Sequence, residues 1–181
     1  MRKAIEASLA CIEGEAIRQS IEDNAICKAE QARDLAVVSE RLQAHGRIRL
    51  DTPGFGNCQF DAAVRTASLD MSADDLRQQV CDVLERLAIY PADTITHMRK
   101  DGCYGDYCTL SGISIFLRRP ILLITNGPAE TAEETIYPLT STPPYANLPA
   151  PLIFAYYIDK HYEATAIAYR PGDIIDLDSS Q

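Results

Sequence analysis

Cys58 lies in the stretch DTPGFGNCQFDAAV, just after two glycines and at the start of a predicted helix. Cysteine attacks a carbonyl group as the thiolate, and a helix N-terminus is one place where the backbone lowers the pKa of a thiol. Gly54 and Gly56 permit backbone angles closed to other residues, so consecutive amides could point at one developing oxyanion. Those amides belong to Phe55, Gly56, Asn57 and Cys58. The alternative is a small buried apolar cysteine, which is a common environment for a free thiol.

A nucleophilic thiol also needs a base, and the chain has three histidines. His45 lies at a polar helix end and His97 in a short helix, where we expect surface or capping roles. His161 opens a β-rich segment directly after a predicted turn, and strand alternation places it on the same face as Glu163. A carboxylate there could fix the ring's tautomer and stabilise the imidazolium. Cys58, His161 and Glu163 therefore form a candidate set of nucleophile, base and orienting acid.

The six cysteines also raise disulfide and metal alternatives. Acidic residues interrupt the N-terminal stretch MRKAIEASLACIEGEAIRQS, which is unlike a secretory signal, so we expect a reducing compartment and free thiols. His97, Cys103 and Cys108 could contribute to a metal site, but C-x4-C is a loose zinc spacing and no metal is expected. Cys108 also has an interpretation as part of a loop beside the active site. Structural thiols are the expected role of Cys11, Cys27, Cys81 and Cys103.

The length and charge of the chain restrict the class of protein. A length of 181 residues favours one domain with its own core. A net charge of −9 argues against a protein that follows nucleic-acid phosphates, because such binding depends on clustered lysine and arginine. No segment approaches the ~20 consecutive apolar residues of a membrane span. We therefore expect a soluble, cytoplasmic monomer with neither a nucleic-acid nor a membrane partner.

Helical patterns dominate the first half of the chain. Residues 2–44 lack proline and carry apolar residues at helical spacing, which predicts two or three helices. A short strand is expected at about 47–50, followed by a helix from Cys58. The next helix has Ser72 as its N-cap, with Asp75 three residues later, and Pro91 as its stop. A short helix is expected at about 93–100.

Strand patterns dominate the second half. The segment DGCYGDYC reads as a loop, TLSGISIFLRRP as a helix ended by Pro120, and ILLIT as a buried strand. Residues 127–150 read as an irregular loop with a strand in TIYPL. The runs LIFAYYI and HYEATAIAY predict a hairpin that turns at Asp159 and Lys160. Helices followed by strands favour an α+β fold with a small antiparallel or mixed sheet.

Four blocks, within residues ~47–168, resemble the ovarian-tumour (OTU) family of cysteine proteases. GFGNCQFDAAV resembles the family's D-G-[ND]-C-[LF]-F-R-A motif, and LRQQV its "LR" helix. YGDYCTLSGISIFLRRPILLIT is similar to the family's block from Trp-Gly to Arg-Pro-Ile, and HYEA to its terminal HYNS. The resemblance implies a papain-like fold, a small central sheet flanked by helices. It implies an OTU-like catalytic domain at 46–172, with an N-terminal helical extension at 1–45 and a tail at 173–181.

The resemblance implies a deubiquitinase that hydrolyses the isopeptide bond at the C-terminal glycine of ubiquitin, with ubiquitin, polyubiquitin or a ubiquitin-like modifier as partner and without cofactor. Cys58 would be the nucleophile and His161 the general base, with Glu163 where the family has Asp or Asn. Phe55 replaces a family Asp, for which Asp51 is the candidate auxiliary acid. The Phe55–Cys58 amides would form the oxyanion hole. The substrate channel would be lined by Tyr104, Gly105 and Tyr162.

Three alternatives stay open at the level of sequence. Phe55 and Glu163 would also suit a catalytically impaired domain that binds ubiquitin without cleaving it. EGEAIRQSIED in the N-terminal helices partly resembles a ubiquitin-interacting helix, although a solvated acidic helix, or a surface for a distal ubiquitin, accounts for it as well. A short OTU domain of this kind would also suit a pathogen effector that acts in a host cytosol.

Overall fold

The computed structural model describes residues 2–139, 147–158 and 161–168, with the backbone alone for residues 2–18. Its contacts divide the chain into two compact units, Met1–Val37 and Val38–Gln181. The division falls earlier than the boundary at residue 45 expected from the sequence. The predicted tail at 173–181 lies outside the described residues.

Helix α1, Arg2–Ala44, is one continuous helix. The prediction of two or three helices over this segment was wrong. The segment lacks proline, and a single glycine in a helix interior costs only about 1 kcal/mol relative to alanine. Gly14 is therefore not enough to interrupt the helix.

A five-stranded mixed sheet lies at the centre of the second unit. Its strands are β1 (Arg47–Leu50), β2 (Ile121–Thr125), β3 (Glu133–Ile136), β4 (Leu152–Tyr157) and β5 (His161–Ile167). The spatial order is β1-β5-β4-β2-β3, and only the β2–β4 pair is parallel. The α+β prediction with a mixed sheet is confirmed. The strand predicted in TIYPL begins earlier, at Glu133, and ends before Pro138, which lacks the N–H that a ladder needs.

The predicted hairpin is formed by β4 and β5. The two strands pair antiparallel, with Tyr157 opposite His161 and Ala155 opposite Glu163. Partners across a ladder share a face, so His161, Glu163 and Tyr157 project from the same side. The turn at residues 159–160 lies outside the described residues.

The described part of the second unit has four further α-helices, α2 (Cys58–Ala67), α3 (Ala73–Leu87), α4 (Ala92–Met98) and α5 (Tyr107–Leu117), and a short 3-10 helix at Ala129–Thr131. Ser72 and Asp75 form the predicted capping box of α3. Two predicted boundaries were wrong. Helix α3 ends at Leu87 rather than at Pro91, because Ala88 adopts a left-handed conformation that closes it. Helix α5 begins within the expected loop, because the Asp106 side chain accepts bonds from the amides of Cys108 and Thr109.

The core of this unit lies between the sheet and helices α2, α3 and α5. Its largest fully buried apolar side chains are Phe60, Phe154, Leu76, Leu84, Leu110, Ile113, Ile121, Ile136 and Leu152. A Cβ atom on Gly112 would lie 2.6 Å from a methyl group of Val80, so this glycine allows α5 to approach α3 closely. The packing fixes the N-termini of α2 and α5 beside each other, because Gln59 contacts both helix ends. In the described part of the chain, no helix has the length and apolar character that crossing a membrane requires.

Candidate active site

Cys58 is the first residue of α2, and its side chain is 2% exposed. Burial raises the pKa of the Cys58 thiol, while hydrogen bonds from the backbone amides of Tyr162, Gln59 and Cys58 act to lower it. The net direction is upward, which differs from the thiolate expected at a helix N-terminus. Desolvation disfavours the charged form of the sulfur more than three amide dipoles favour it.

The loop before α2 has a left-handed backbone at two consecutive residues, Phe55 (φ 55°) and Gly56 (φ 79°). Asn57 then returns to the right-handed region. This change from left-handed to right-handed backbone turns successive N–H groups towards one concavity, which suits an anion. From the sequence, Gly54 and Gly56 were expected to supply the backbone angles that other residues avoid. The second left-handed residue is Phe55 rather than Gly54. A Cβ on Gly56 would lie 1.9 Å from the carbonyl oxygen of Gly102, so the loop is held against the 101–106 segment.

His161 is the first residue of β5, and its ring lines the same cleft as Cys58. Its Nε2 atom lies 2.8 Å from the carbonyl oxygen of Thr52. Thr52 follows β1, so the ring is held by the chain that leads into the nucleophile loop. Sequence reasoning did not identify this contact, because a backbone acceptor leaves no residue-type signal.

Glu163 lies two residues further along β5 and is 4% exposed. Arg49 donates to both of its carboxylate oxygens, at 2.9 and 3.1 Å, and the Tyr157 hydroxyl donates to it at 3.0 Å. Burial raises the pKa of the Tyr157 hydroxyl, and the charge of Glu163 adds to that rise. Glu163 thus shares a strand face with His161 as expected, while these oxygens engage other partners. Its role as the orienting acid stays a prediction.

A cleft of about 500 Å³ opens beside Cys58 and His161. The three predicted channel residues, Tyr104, Gly105 and Tyr162, all line it. The rings of Tyr156 and Tyr162 stack at 4.4 Å between centroids. The remaining lining residues are Asp106, Tyr107, Leu110, Leu123 and Glu134. The cleft therefore has aromatic walls, a bare backbone at one glycine and two acidic residues.

Gly105 adjoins Gln59, which directly follows Cys58. A Cβ on Gly105 would lie 2.2 Å from Gln59 Oε1. That oxygen accepts a bond from the Thr109 hydroxyl at 2.6 Å, and Gln59 Nε2 donates to the Asp106 carbonyl at 3.1 Å. Because Gln59 is fully buried, it cannot move aside freely. The absence of a side chain at Gly105 is therefore needed for packing against α2.

The side chain of Arg77 is fully buried and is hydrogen-bonded to several segments next to the site. Its guanidinium donates to the carbonyl oxygens of Met98 (2.7 Å), Gly56 (3.0 Å) and Cys103 (2.7 Å), and to Asn57 Oδ1 at 2.6 Å. It also lies over the ring of Phe60, 4.3 Å from the centroid. Arg77 lies in the LRQQV stretch that resembles the family's LR helix, but only the structure shows that it ties residues 56 and 57 to the 98–103 segment.

The side chains of the other candidates do not line the cleft. Phe55 is 89% exposed, and Asp51 is exposed, with its carbonyl oxygen bonded by Arg65. His45 is bonded to Glu133 at 2.9 Å, and His97 is exposed on α4. Among the described residues, no group of three or more histidine, cysteine or acidic side chains could hold a metal ion.

The described cysteines are all free. They are Cys27, Cys58, Cys81, Cys103 and Cys108. Burial raises the pKa of Cys108 to about 12, so this thiol is protonated at neutral pH. Of these five cysteines, Cys58 is the one that lines the cleft with a histidine.

Comparison of the sequence with protein-family models and with curated proteins finds no match. Solved structures do match. The OTU domain of OTUD1 aligns with a TM-score of 0.62 and 22% identity, over 76% of this chain and 99% of that domain. An ovarian tumor (OTU) domain in complex with ubiquitin aligns with a TM-score of 0.53 and 15% identity, over 66% of this chain and 69% of that one.

A viral structure shows the same likeness. The Hazara virus OTU bound to ubiquitin aligns with a TM-score of 0.51 and 10% identity, over 68% of this chain and 83% of that one. These three alignments, together with the mixed five-stranded sheet and its flanking helices, confirm the fold that the sequence resemblance implied. The chain has the fold of the OTU domains.

Proposed function

We propose that this protein is a deubiquitinase, a thiol-dependent isopeptidase that releases ubiquitin from lysine side chains or from polyubiquitin. The observation that carries the proposal is that Cys58, at the start of α2, and His161, at the start of β5, line one cleft. A thiol and an imidazole brought together by two different elements are the pair that nucleophilic acyl transfer requires. Two of the matching OTU structures contain ubiquitin, which supports ubiquitin as the partner.

The reaction begins with proton transfer from the Cys58 thiol to His161. The sulfur then attacks the carbonyl carbon of the C-terminal glycine of ubiquitin, and the carbonyl electrons move to the oxygen. The amides of the Phe55–Cys58 loop stabilise this oxyanion. The left-handed backbone at Phe55 and Gly56 suits the loop to binding an anion. His161 gives its proton to the departing lysine amine, and a thioester remains. Water, deprotonated by His161, releases ubiquitin with a free carboxylate and restores the thiol.

The protonated resting thiol has a consequence for the order of events. Because burial raises the pKa of Cys58 in the free protein, proton transfer to His161 has to precede attack by the sulfur.

Cleavage of diubiquitin tests the proposal. Wild-type protein is expected to produce monoubiquitin, whereas Cys58→Ala and His161→Gln are expected to produce none above background. Cys27→Ala, which removes an exposed thiol of α1, is the matched control and should cleave as wild type does. A panel of diubiquitins of different linkages would measure the chain preference. Cleavage that persists in Cys58→Ala would contradict the assignment.

The second candidate function is a domain that binds ubiquitin without cleaving it. The observation favouring it is the near-complete burial of Cys58, together with the upward shift of its pKa. Calorimetric titration with ubiquitin separates the two. Measurable affinity, combined with no cleavage of any linkage at any pH, would support the binding domain and exclude the isopeptidase.

A further inference from the structure

The ring of His161 is oriented in this structure by a backbone carbonyl. Its Nε2 atom lies 2.8 Å from the Thr52 oxygen, and a carbonyl oxygen can only accept a hydrogen bond. The proton of the neutral ring must therefore sit on Nε2, which leaves the lone pair on Nδ1. A base needs a free lone pair on the nitrogen that takes the proton, so this contact leaves Nδ1 as the ring nitrogen that can act as the base.

Thr52 is held in place from several directions and is 3% exposed. Its hydroxyl donates to the Leu50 carbonyl at 2.9 Å and accepts a bond from the Ala164 amide at 2.9 Å. Arg65 reaches the same hydroxyl at 3.3 Å. Pro53 follows and restricts the backbone angle that aims the Thr52 carbonyl. The acceptor is thus fastened both to the end of β1 and to the strand that carries His161.

Glu163 is occupied by a different network. It lies at 2.9 and 3.1 Å from Arg49 Nη1 and at 3.0 Å from the Tyr157 hydroxyl. These contacts link β1, β5 and β4, which are adjacent in the sheet. A buried carboxylate with a guanidinium and a phenol has its hydrogen-bonding needs met without the histidine.

We propose that the Thr52 carbonyl, positioned by the Thr52 hydroxyl, orients His161, and that Glu163 fastens β1, β5 and β4 instead of serving as the third catalytic group. The assignment deepens the function proposed above and rests on it. Thr52 is accordingly a positioning residue, since it acts through His161 and touches no reacting atom.

The direct test is the tautomer of His161, read from ¹⁵N chemical shifts of histidine-labelled protein. With three histidines in the chain, loss of one set of signals in His161→Gln assigns them. We expect the Nε2–H tautomer in wild type and in Glu163→Gln. An Nδ1–H ring in wild type, or a change of tautomer in Glu163→Gln, would overturn the proposal.

The kinetic test compares two pairs of variants by diubiquitin cleavage. Glu163→Gln keeps the shape of the side chain and one of its two acceptor oxygens, so we expect kcat within about threefold of wild type. Loss of an orienting acid would instead lower kcat by about 10⁴-fold. Thr52→Val removes the hydroxyl and should lower kcat at least about tenfold with little change in KM, whereas Thr52→Ser should restore it. A Thr52→Val enzyme with wild-type kcat would refute the positioning role.

A third measurement separates this inference from the proposed function. The rate of Cys58 alkylation by iodoacetamide needs no ubiquitin. If no ubiquitin substrate is cleaved, a ring held as Nε2–H, with alkylation slowed in Thr52→Val but not in Thr52→Ser, still supports the role of Thr52. Equal alkylation rates in wild type and Thr52→Val would count against it. Thermal unfolding of each variant identifies any that fail to fold, and the wild-type tautomer then decides.

Discussion

At the sulfur of Cys58, burial and backbone hydrogen bonds act in opposite directions. Burial raises the pKa, and the amides of Tyr162, Gln59 and Cys58 lower it by a smaller amount. The thiolate is therefore the minor form of the free protein at neutral pH. A buried, protonated thiol reacts slowly with alkylating agents and oxidants.

This balance predicts the pH dependence of Cys58 alkylation. In the free protein the rate with iodoacetamide should still be rising above pH 9.0, the ordinary pKa of the thiol. The sign follows from burial, which favours the neutral thiol, so more alkaline solution is needed to form the thiolate. Mass spectrometry of the Cys58 peptide measures the rate. A rate that has levelled off below pH 7 would show a thiolate already formed at rest.

Gly105 supplies a prediction on packing beside the nucleophile. Gly105→Ala should reduce diubiquitin cleavage at least about tenfold, because the new methyl group displaces Gln59 and with it the start of α2. Gly54→Ala is the matched control, since Gly54 lies in the nucleophile loop with open space around its Cβ position and no positive φ. Equal activity in the two variants would mean that Gln59 can rearrange at no cost to the site.

At the scale of elements, α3 supports the nucleophile loop through a single side chain. Arg77 bonds three backbone carbonyls and one side-chain oxygen that belong to different segments. Burial lowers its pKa, yet an arginine stays charged at neutral pH. The charge is balanced by carbonyl dipoles, so the loops around the site depend on it.

Replacement of Arg77 by methionine should therefore destabilise the protein and impair the site together. Leaving several buried carbonyl groups without donors is expected to cost about 3–5 kcal/mol in the free energy of unfolding. Chemical denaturation measures that loss. The exposed Arg86 of the same helix provides the control, and Arg86→Met should change stability by less than about 0.5 kcal/mol. Similar losses in both variants would contradict the anchoring role.

The secondary structure was largely predictable from the sequence where local chemistry decides it. The capping box of Ser72, the apolar run of β2 and the β4–β5 hairpin were all recognisable. The ends of α3 and α5 were not, because a left-handed Ala88 and the side chain of Asp106 set them. The tertiary partners of Glu163 could not be predicted, since Arg49 is far away in sequence and comes close only through the pairing of β1 with β5.

At the scale of the whole molecule, the C-terminal end of α1 is packed within the second unit, Val38–Gln181. Val38 and Leu42 are fully buried, and Arg41 donates to the Thr125 and Gly127 carbonyls. The packing of the second unit therefore includes residues that precede residue 46, where the sequence resemblance placed the start of the domain. The resemblance begins near β1 because its motifs lie around the site, whereas the support of α1 is a matter of packing.

Two truncations test this division. Removal of residues 1–37 should leave an unfolding temperature and diubiquitin cleavage close to those of the full chain. Removal of residues 1–44 should destabilise the protein by about 3–6 kcal/mol, because it deletes two buried apolar side chains as well as the Arg41 bonds. Differential scanning calorimetry compares them. If the protein without residues 1–44 were as stable as the full chain, α1 would contribute nothing to the core. A change of linkage preference on removing residues 1–37 would assign that part of the helix to the recognition of ubiquitin chains.

The most direct measurement of the central claim is the intact mass of the protein after incubation with ubiquitin that carries an electrophile at its C-terminus. The account predicts a single added ubiquitin, mapped by peptide analysis to Cys58. No adduct should form with Cys58→Ala or with protein that was denatured before the incubation. Two results would contradict it. One is that wild type and Cys27→Ala both bind ubiquitin and yet remain unlabelled; the other is an adduct on any cysteine other than Cys58.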